Sequence, residues 1–247
     1  MLAVIGGTGL AKFTGLAITH RQVIRTPYGE PSGALTFGNL KGRLVVFLAR
    51  HGYGHTIAPH EVNYRANLWA LSSQQVKEVI SVASVGGIRA DLTPGALVLP
   101  SQIIDYTHSR KATFFEGSDQ AVTHTDFTLP YTRALQERCL SAASQAGESL
   151  LFGGVYAAVQ GPRLETAAEI NRIERDGADM VGMTGMPEAI LARELNMRYA
   201  AIAVVANYAA GRGPSKEAVA LEDIHAVLQT SMQKVKNILE HLVAIDD

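Results

Sequence analysis

The sequence is poor in cysteine and in charged residues, and both shortages exclude classes of protein. Its 247 residues contain one cysteine, Cys139, so neither an internal disulfide nor a zinc site built from several cysteines is possible. Charged residues make up 18%, and 22 basic against 23 acidic side chains leave a formal net charge of -1. Because non-specific nucleic-acid binding requires clustered lysine and arginine, we expect no nucleic-acid partner.

Long apolar runs are also missing. No stretch approaches the about 18 uninterrupted apolar residues of a membrane span. Residues 1–5 lead into glycines rather than into a charged leader with a cleavage site. Together with the single cysteine, these features predict a cytoplasmic protein that has no membrane partner.

The sequence does contain an alternation of short apolar runs with longer helical patterns. This alternation predicts one α/β domain over residues 1–247 with a mostly buried sheet. The predicted strands cover residues 2–5, 44–48, 78–84, 96–99, 155–159, 180–183 and 199–205. The predicted helices cover residues 62–72, 131–145, 165–175, 188–195 and 223–242. Residues 105–128 are polar and lack periodicity, which predicts a long excursion or lid.

A glycine-rich segment, Gly-Gly-Thr-Gly at residues 6–9, follows the first predicted strand. Glycines let backbone N–H groups converge on an anion, and the Thr8 hydroxyl adds one donor. A dinucleotide-binding pattern is not matched because Lys12 stands at its third glycine position, and the Gly-Lys-Ser/Thr ending of a P-loop is absent. The segment therefore predicts either a phosphate-sized anion site or a tight turn.

Arg50 and His51 follow the next apolar run. Arginine offers a planar fork to phosphate oxygens, and histidine can donate a neutral or a charged hydrogen bond. His55, four residues after His51, raises the alternative of a metal site, but the neighbouring glycines and Pro59 disfavour the helix that would align the two rings. We expect no bound metal, and scattered surface histidines remain a further alternative.

Three more segments place candidate ligand contacts after strands. Glu165 follows a Gly-Pro turn, where it either contacts a ligand or is stabilised by the dipole of the following helix. Met183 is either a ligand contact or core filling. Asn207 ends the last buried run, at the edge where open α/β sheets bind ligands. A Gly-x-Ser-x-Gly elbow is absent and Cys139 lies in an amphipathic helix, so a Ser or Cys nucleophile is not expected.

These segments, in this order, resemble the trimeric purine nucleoside phosphorylase family, and within it the methylthioadenosine phosphorylase branch. The resemblance spans nearly the whole chain and is most specific at residues 5–10, 48–52, 55–57, 62–67 and 182–188. It implies a single-domain nucleoside phosphorylase fold, in which a mixed twisted β-sheet is surrounded by α-helices, and a homotrimer. It also implies reversible phosphorolysis of a nucleoside, with inorganic phosphate as co-substrate and no cofactor.

The resemblance assigns roles by position. The phosphate-holding positions are matched by Thr8, Arg50, His51, Ser84 and Thr184. The nucleoside-binding positions are matched by Leu164, Glu165, Met183, Asn207, Leu221 and Ile224, and by His124, which would reach the site of a neighbouring copy. Asn207, which stabilises the departing base, and His51, which helps to fix phosphate, are the expected catalytic residues.

The expected base is a 6-oxopurine. The methylthioadenosine branch carries two aspartates in the segment that here reads Asn-Tyr-Ala at residues 207–209, whereas oxopurine-specific phosphorylases are similar to this chain at Asn207 and Glu165. A 6-oxopurine presents an acceptor at O6 and a donor at N1, and a 6-aminopurine presents the reverse. Asn207 can donate to O6 and ionised Glu165 can accept from N1–H, whereas adenine would leave these groups mismatched.

At the other end of the nucleoside the chain is similar to the methylthio branch. Leu221 and Ile224 stand where oxopurine phosphorylases place a histidine for the 5′-hydroxyl. Apolar side chains favour a buried methylthio group and leave a hydroxyl unpaired. The expected substrate is therefore S-methyl-5′-thioinosine. Phosphorolysis of inosine or guanosine, phosphorolysis of methylthioadenosine, a non-catalytic nucleoside-binding role and metal-dependent hydrolysis are the alternatives.

Overall fold

The structure is a computed structural model that describes residues 1–7, 10, 13, 15–118 and 121–245. Within these residues, eleven strands form one mixed sheet and five α-helices surround it. The strands are β1 (Leu2–Gly6), β2 (Ala17–Gln22), β3 (Leu35–Leu40), β4 (Arg43–Ala49), β5 (Glu78–Gly87), β6 (Leu97–Leu99), β7 (Gln102–Asp105), β8 (Leu151–Phe152), β9 (Val155–Ala158), β10 (Met180–Gly182) and β11 (Arg198–Tyr208). The helices are α1 (Tyr64–Ser73), α2 (Arg133–Gln145), α3 (Ala167–Arg175), α4 (Gly185–Glu194) and α5 (Leu221–Leu242).

Strand β5 is the centre of the sheet. Along one edge its first half pairs in parallel with β1 and its last residues pair antiparallel with β10, while β11 runs parallel along the other edge. From β1 the sheet continues through β4 and β3 to β2, and from β10 through β9 to β7. Strands β6 and β8 extend it beyond β11. Because β1, β4, β5 and β11 are parallel, their carboxyl ends meet at the same edge of the sheet.

Alternating side chains of the buried strands fill two large cores, one on each face of the sheet, and a smaller third core includes Ile170 and Ile173 of α3. Leu2 and Val4 belong to the core that α2 and α5 cover, whereas Ala3 and Ile5 belong to the core that α1 and α4 cover. All residues of β1 are buried, as expected for a parallel strand between two layers of helices. None of the helices in the described part of the chain has the length and apolar character needed to cross a membrane.

The predicted fold class is confirmed, and each predicted strand and helix is present to within three residues at either end. Strands β2, β3, β7 and β8 were not predicted. Every residue of β2 is exposed, so no apolar pattern marks it, and β8 has only two residues. In the predicted excursion, Asp105 ends β7, and residues 106–118 and 121–128 contain neither helix nor strand.

Candidate active site

A cleft of about 450 Å³ opens at the carboxyl ends of β1, β4, β5 and β11, and the turns after β9 and β10 complete its walls. Open α/β sheets bind ligands at this edge, and the volume suits a small organic molecule. Among the predicted site residues, those that line the cleft are Arg50, His51, Ser84, Leu164, Glu165, Met183, Thr184, Asn207 and Ile224. The fold thus gathers residues from most of the length of the chain into one site.

Arg50 follows β4 directly, and its side chain is entirely buried. Its Nε donates to Glu188 Oε2 at 2.6 Å, and its Nη2 donates to Glu188 Oε1 at 2.9 Å. Nη2 also donates to the Ser81 hydroxyl at 2.7 Å, and Nη1 donates to the Val82 carbonyl at 3.1 Å. The Glu188 carboxylate therefore occupies the fork of Arg50, and the phosphate contact of Arg50 stays a prediction for the rest of the guanidinium.

Arg50 keeps one N–H group for a contact with a ligand. Among the described residues, the partners of Arg50 take four of its five N–H groups, which leaves one on Nη1. A Cβ on Gly7 would lie 2.7 Å from Nη1, so a glycine is required where β1 ends beside the guanidinium. Burial acts to lower the pKa of Arg50, but the charge and hydrogen bonds of Glu188 outweigh burial and raise it. Arg50 is therefore a permanent cation in the cleft wall.

His51 is neutral and its tautomer is fixed. Its Nδ1 lies 2.8 Å from the Ile57 carbonyl oxygen, which can only accept, so Nδ1 carries the proton. Burial lowers the pKa of His51 to about 4, and the neighbouring charge of Arg50 acts in the same direction. Nε2 therefore presents a lone pair. The sequence analysis expected His51 to donate a neutral or a charged hydrogen bond to a ligand. The charged form is absent at neutral pH because the pKa is low, and the N–H of the neutral ring already donates to the Ile57 carbonyl.

The two histidines considered as metal ligands do lie close together, with the ring centroids of His51 and His55 4.7 Å apart. However, no group of three or more His, Cys, Asp or Glu side chains with the geometry to hold a metal ion occurs in the described residues. A pair of rings alone provides only half of a tetrahedral ligand set. The geometry gives the metal alternative no further support.

Asn207 lies near the end of β11, where the pairing with β5 shifts register between Val205 and Asn207. Such irregularities re-aim side chains beside binding sites. The Asn207 Nδ2 donates to the Tyr208 carbonyl at 2.7 Å, which fixes the orientation of the amide. One N–H of Nδ2 and the Oδ1 oxygen are left to face a ligand, so the side chain offers one donor and one acceptor.

Glu165 lies in the turn that precedes α3, and burial raises its pKa. The start of α3 is fixed by a capping box, in which the Thr166 hydroxyl accepts from the Glu169 N–H and the Glu169 carboxylate accepts from the Thr166 N–H. Arg163 donates to both carboxylate oxygens of Glu169, at 2.8 and 2.7 Å. These contacts on either side of Glu165 hold the turn that presents its carboxylate to the cleft.

Met183 and Thr184 come from the turn between β10 and α4. Met183 packs against Gly161, where a Cβ would lie 2.4 Å from the Met183 sulfur and where the φ of +62° also favours glycine. Thr184 is buried, and its N–H donates to the Tyr156 hydroxyl at 3.4 Å. Ser84 approaches from β5 and is half-buried. The turn and the end of β5 therefore bring an apolar thioether and two hydroxyl side chains to the cleft.

Two predicted residues do not line the cleft, and a third lies outside the described residues. Leu221 is the first residue of α5, is 61% exposed and does not line the cleft beside Ile224, so its contact with the 5′ end of a nucleoside stays a prediction. His124 is exposed in the excursion, away from the cleft of its own chain. Thr8 lies outside the described residues.

The sequence analysis missed Glu188 and the wall formed by residues 55–59. Glu188 is fully buried and also accepts from the Tyr199 hydroxyl at 2.9 Å. A glutamate after a proline at a helix start is already explained by the helix dipole, so nothing in its sequence context indicates a buried ion pair. Residues 55–57 belong to a recognised motif, which was a usable signal that their surroundings contribute to the site.

Comparisons with known proteins identify the family of the chain. A family model described as "Phosphorylase superfamily" matches residues 1–244. A protein of Pseudomonas syringae pv. tomato named probable S-methyl-5′-thioinosine phosphorylase is 48% identical over 242 residues, which cover 98% of each chain. A 6-oxopurine nucleoside phosphorylase of Pyrococcus furiosus is 44% identical over 220 residues, covering 87% of this chain and 82% of that protein.

A solved structure shows the same likeness in three dimensions. Methylthioadenosine phosphorylase from Schistosoma mansoni, in complex with adenine, matches with a TM-score of 0.94 at 29% identity, covering 98% of this chain and 90% of that one. The resemblance seen in the sequence motifs is therefore confirmed by the family model, by relatives of nearly full length and by the fold. The chain belongs to the phosphorylase superfamily.

Proposed function

We propose that this protein catalyses the reversible phosphorolysis of S-methyl-5′-thioinosine to hypoxanthine and 5-methylthioribose 1-phosphate, with inorganic phosphate as co-substrate and no cofactor. The observation that carries the proposal is the presence of Asn207 and Glu165 in the same cleft as Arg50 and His51. The names of the relatives support it, since one is named for methylthioinosine and another for 6-oxopurine nucleosides.

The choice of base follows from hydrogen-bond polarity. The free N–H of the Asn207 amide suits O6, and its Oδ1 suits a protonated N7. The Glu165 carboxylate accepts from N1–H of a 6-oxopurine, whereas adenine would oppose it with a lone pair. Because sites built from such polar pairs reject mismatched partners by several orders of magnitude, we infer a strong preference for the 6-oxo form.

The reaction needs no covalent intermediate. Bond breaking runs ahead of phosphate attack, and a ribosyl cation forms between the departing purine and the bound anion. Arg50 and the hydroxyls of Ser84 and Thr184 hold phosphate near the anomeric carbon, while the neutral His51 Nε2 accepts a hydrogen bond from a protonated phosphate oxygen or a ribose hydroxyl. Asn207 stabilises the charge and the proton that develop on the leaving base.

The cleft offers one apolar contact for the 5′ end of the substrate. Ile224 lines the cleft and provides an apolar contact, but Leu221 does not. We therefore keep phosphorolysis of inosine and guanosine as a second candidate, which the exposure of Leu221 favours. We also propose that the chain forms one domain and a homotrimer in the cytoplasm, in which a neighbouring copy completes the 5′ end of the site through His124.

The test is to incubate the purified protein with methylthioinosine, methylthioadenosine or inosine, each with and without phosphate, and to identify the bases released. We expect phosphate-dependent release of hypoxanthine, with the highest kcat/KM for methylthioinosine. Equal or better efficiency with inosine would defeat the methylthio assignment.

A second test changes Asn207. The variant Asn207→Asp should lose about 10- to 100-fold in kcat/KM for the 6-oxopurine substrate, since it leaves O6 without a donor. An unchanged rate would remove Asn207 from the site.

A further inference from the structure

One arginine of the excursion after β7, Arg110, contacts the turns that form a wall of the cleft. Its Nε donates to the Gln160 side-chain oxygen at 3.2 Å, and its Nη2 donates to the backbone carbonyls of Gln160 at 2.8 Å and Val159 at 3.2 Å. These acceptors belong to the turn after β9. Arg110 therefore holds the beginning of the turn that leads to Leu164 and Glu165.

The other terminal nitrogen of the same guanidinium holds a second turn. Arg110 Nη1 donates to the carbonyl of Met183 at 2.8 Å, in the turn between β10 and α4, and to that of Met186 at 2.7 Å, at the non-helical start of α4. A contact of 3.3 Å joins Nη1 to the hydroxyl of Tyr64 in α1. The turn that supplies Met183 and Thr184 to the cleft is thus tied to the turn that supplies Glu165.

A planar, five-donor group is suited to this task. Arginine presents its N–H groups in a fixed fork, so one side chain can bind acceptors on two chain segments and fix the distance between them. Lysine has a compact ammonium and cannot reach acceptors on both sides in one plane. The two turns also contact each other directly, because the Met183 side chain occupies the space that a Cβ on Gly161 would need. A small displacement of either turn therefore moves the contacts to the nucleoside.

Resting on the proposed function, we propose that Arg110 is a positioning residue for the nucleoside half of the site. It acts through the turns that carry Glu165 and Met183. Most of the phosphate half is held separately, because Arg50 is fixed by Glu188, Ser81 and Val82, and His51 by Ile57. Ser84 lies in β5, and only Thr184 comes from a turn that Arg110 holds. Loss of Arg110 should therefore affect binding and turnover of the nucleoside and leave the affinity for phosphate nearly unchanged.

The experiment compares Arg110→Met and Arg110→Lys with the control Arg65→Met. Arg65 also holds the excursion, through the Thr113 carbonyl and the Glu116 carboxylate, but it contacts neither turn. We expect both Arg110 variants to lose about 10- to 100-fold in kcat/KM for the nucleoside, as misplaced contacts of this kind do, with the KM for phosphate changed less than about threefold. The control should match the wild type in both parameters.

Hydrogen exchange provides a second readout that does not depend on the reaction. Peptides covering residues 159–166 and 183–187 should exchange faster in Arg110→Met than in Arg65→Met or the wild type. Unchanged exchange in these peptides, or equal losses for nucleoside and phosphate, would overturn the inference. If Arg110→Met fails to fold, Arg110→Lys decides by the same criteria. A wild type that cleaves none of the three nucleosides would refute the proposed function instead, and the exchange data would still judge Arg110.

Discussion

At the scale of single residues, the protonation of His51 links the site to stability. Burial and the charge of Arg50 lower its pKa to about 4 in the folded protein, from a value near 6.5 in an unfolded chain. Between these values the unfolded chain binds more protons than the folded one. The free energy of unfolding contributed by this group is therefore fully present above pH 6.5 and decreases as the pH falls toward 4.

The variant His51→Asn should remove this pH dependence. We expect the wild type to lose stability between pH 6.5 and 4.5 with a slope from His51 of at most about 1.4 kcal/mol per pH unit. His51→Asn should lack this slope, so the stability of the wild type relative to the variant should decrease as the pH falls. Urea unfolding at several pH values measures it. His60→Asn, which changes an exposed histidine, is the control and should follow the wild-type curve. Parallel curves for wild type and His51→Asn would contradict the assigned neutral state.

At the scale of secondary-structure elements, one buried ion pair joins four parts of the fold. Arg50 follows β4, Glu188 lies in α4, Ser81 lies in β5 and Tyr199 in β11, and hydrogen bonds of 2.6 to 2.9 Å connect them. Removing one member of a buried pair leaves the other charge without compensation. The pair therefore fixes α4, and with it the turn before α4, relative to the sheet.

The variant Glu188→Gln tests this connection. We expect a loss of about 3–5 kcal/mol in the free energy of unfolding, together with a higher KM for phosphate, because Arg50 keeps its charge but loses its fixed orientation. Denaturant unfolding and steady-state kinetics measure the two effects. Glu137→Gln breaks the exposed pair of Glu137 with Arg133 and should cost no more than about 0.5 kcal/mol. A Glu188 variant as stable as that control would show that the buried pair is dispensable.

Some secondary-structure elements could be predicted from the sequence and others could not. Helix α5 was predicted from its periodicity, and β1 and β11 from unbroken apolar runs, because burial imposes these patterns on the sequence itself. Strand β2 could not be predicted, because all its residues are exposed and no apolar pattern marks it. In the site, residues at strand ends could be found since the topology brings those ends together. The pairing of Arg50 with Glu188 could not, because 138 positions separate them and each has a local explanation.

The contacts of Arg110 could not be predicted from the sequence either. The excursion that carries it has no period, so its residues cannot be assigned to a face or to a neighbour. Its acceptors are mostly backbone carbonyls, which every residue possesses and which leave no mark in the sequence. Contacts of this kind become visible only when the two turns are placed in space.

At the scale of the whole molecule, two apolar side chains assigned to the nucleoside are exposed in the single chain. Leu164 is 40% exposed and Leu221 is 61% exposed, although both match nucleoside-binding positions. The excursion meanwhile exposes Val122, at 79%, and His124 beside it. A homotrimer in which the excursion of one copy covers the cleft of the next would bury these apolar side chains, which is favourable at about 25 cal/mol per Å² of apolar surface.

Mixing of two impaired variants tests this arrangement. Under the proposal, Asn207→Asp damages the site of its own chain, whereas His124→Ala weakens binding of the methylthio nucleoside in the site of a neighbour. In mixed trimers, a chain with intact Asn207 can receive intact His124 from an Asn207→Asp neighbour, so some sites are complete. We expect co-expressed variants to form particles of three chains by light scattering and to exceed the mean activity of the two parent variants. If His124 serves its own chain instead, no mixed site is complete, and the mixture should show only that mean.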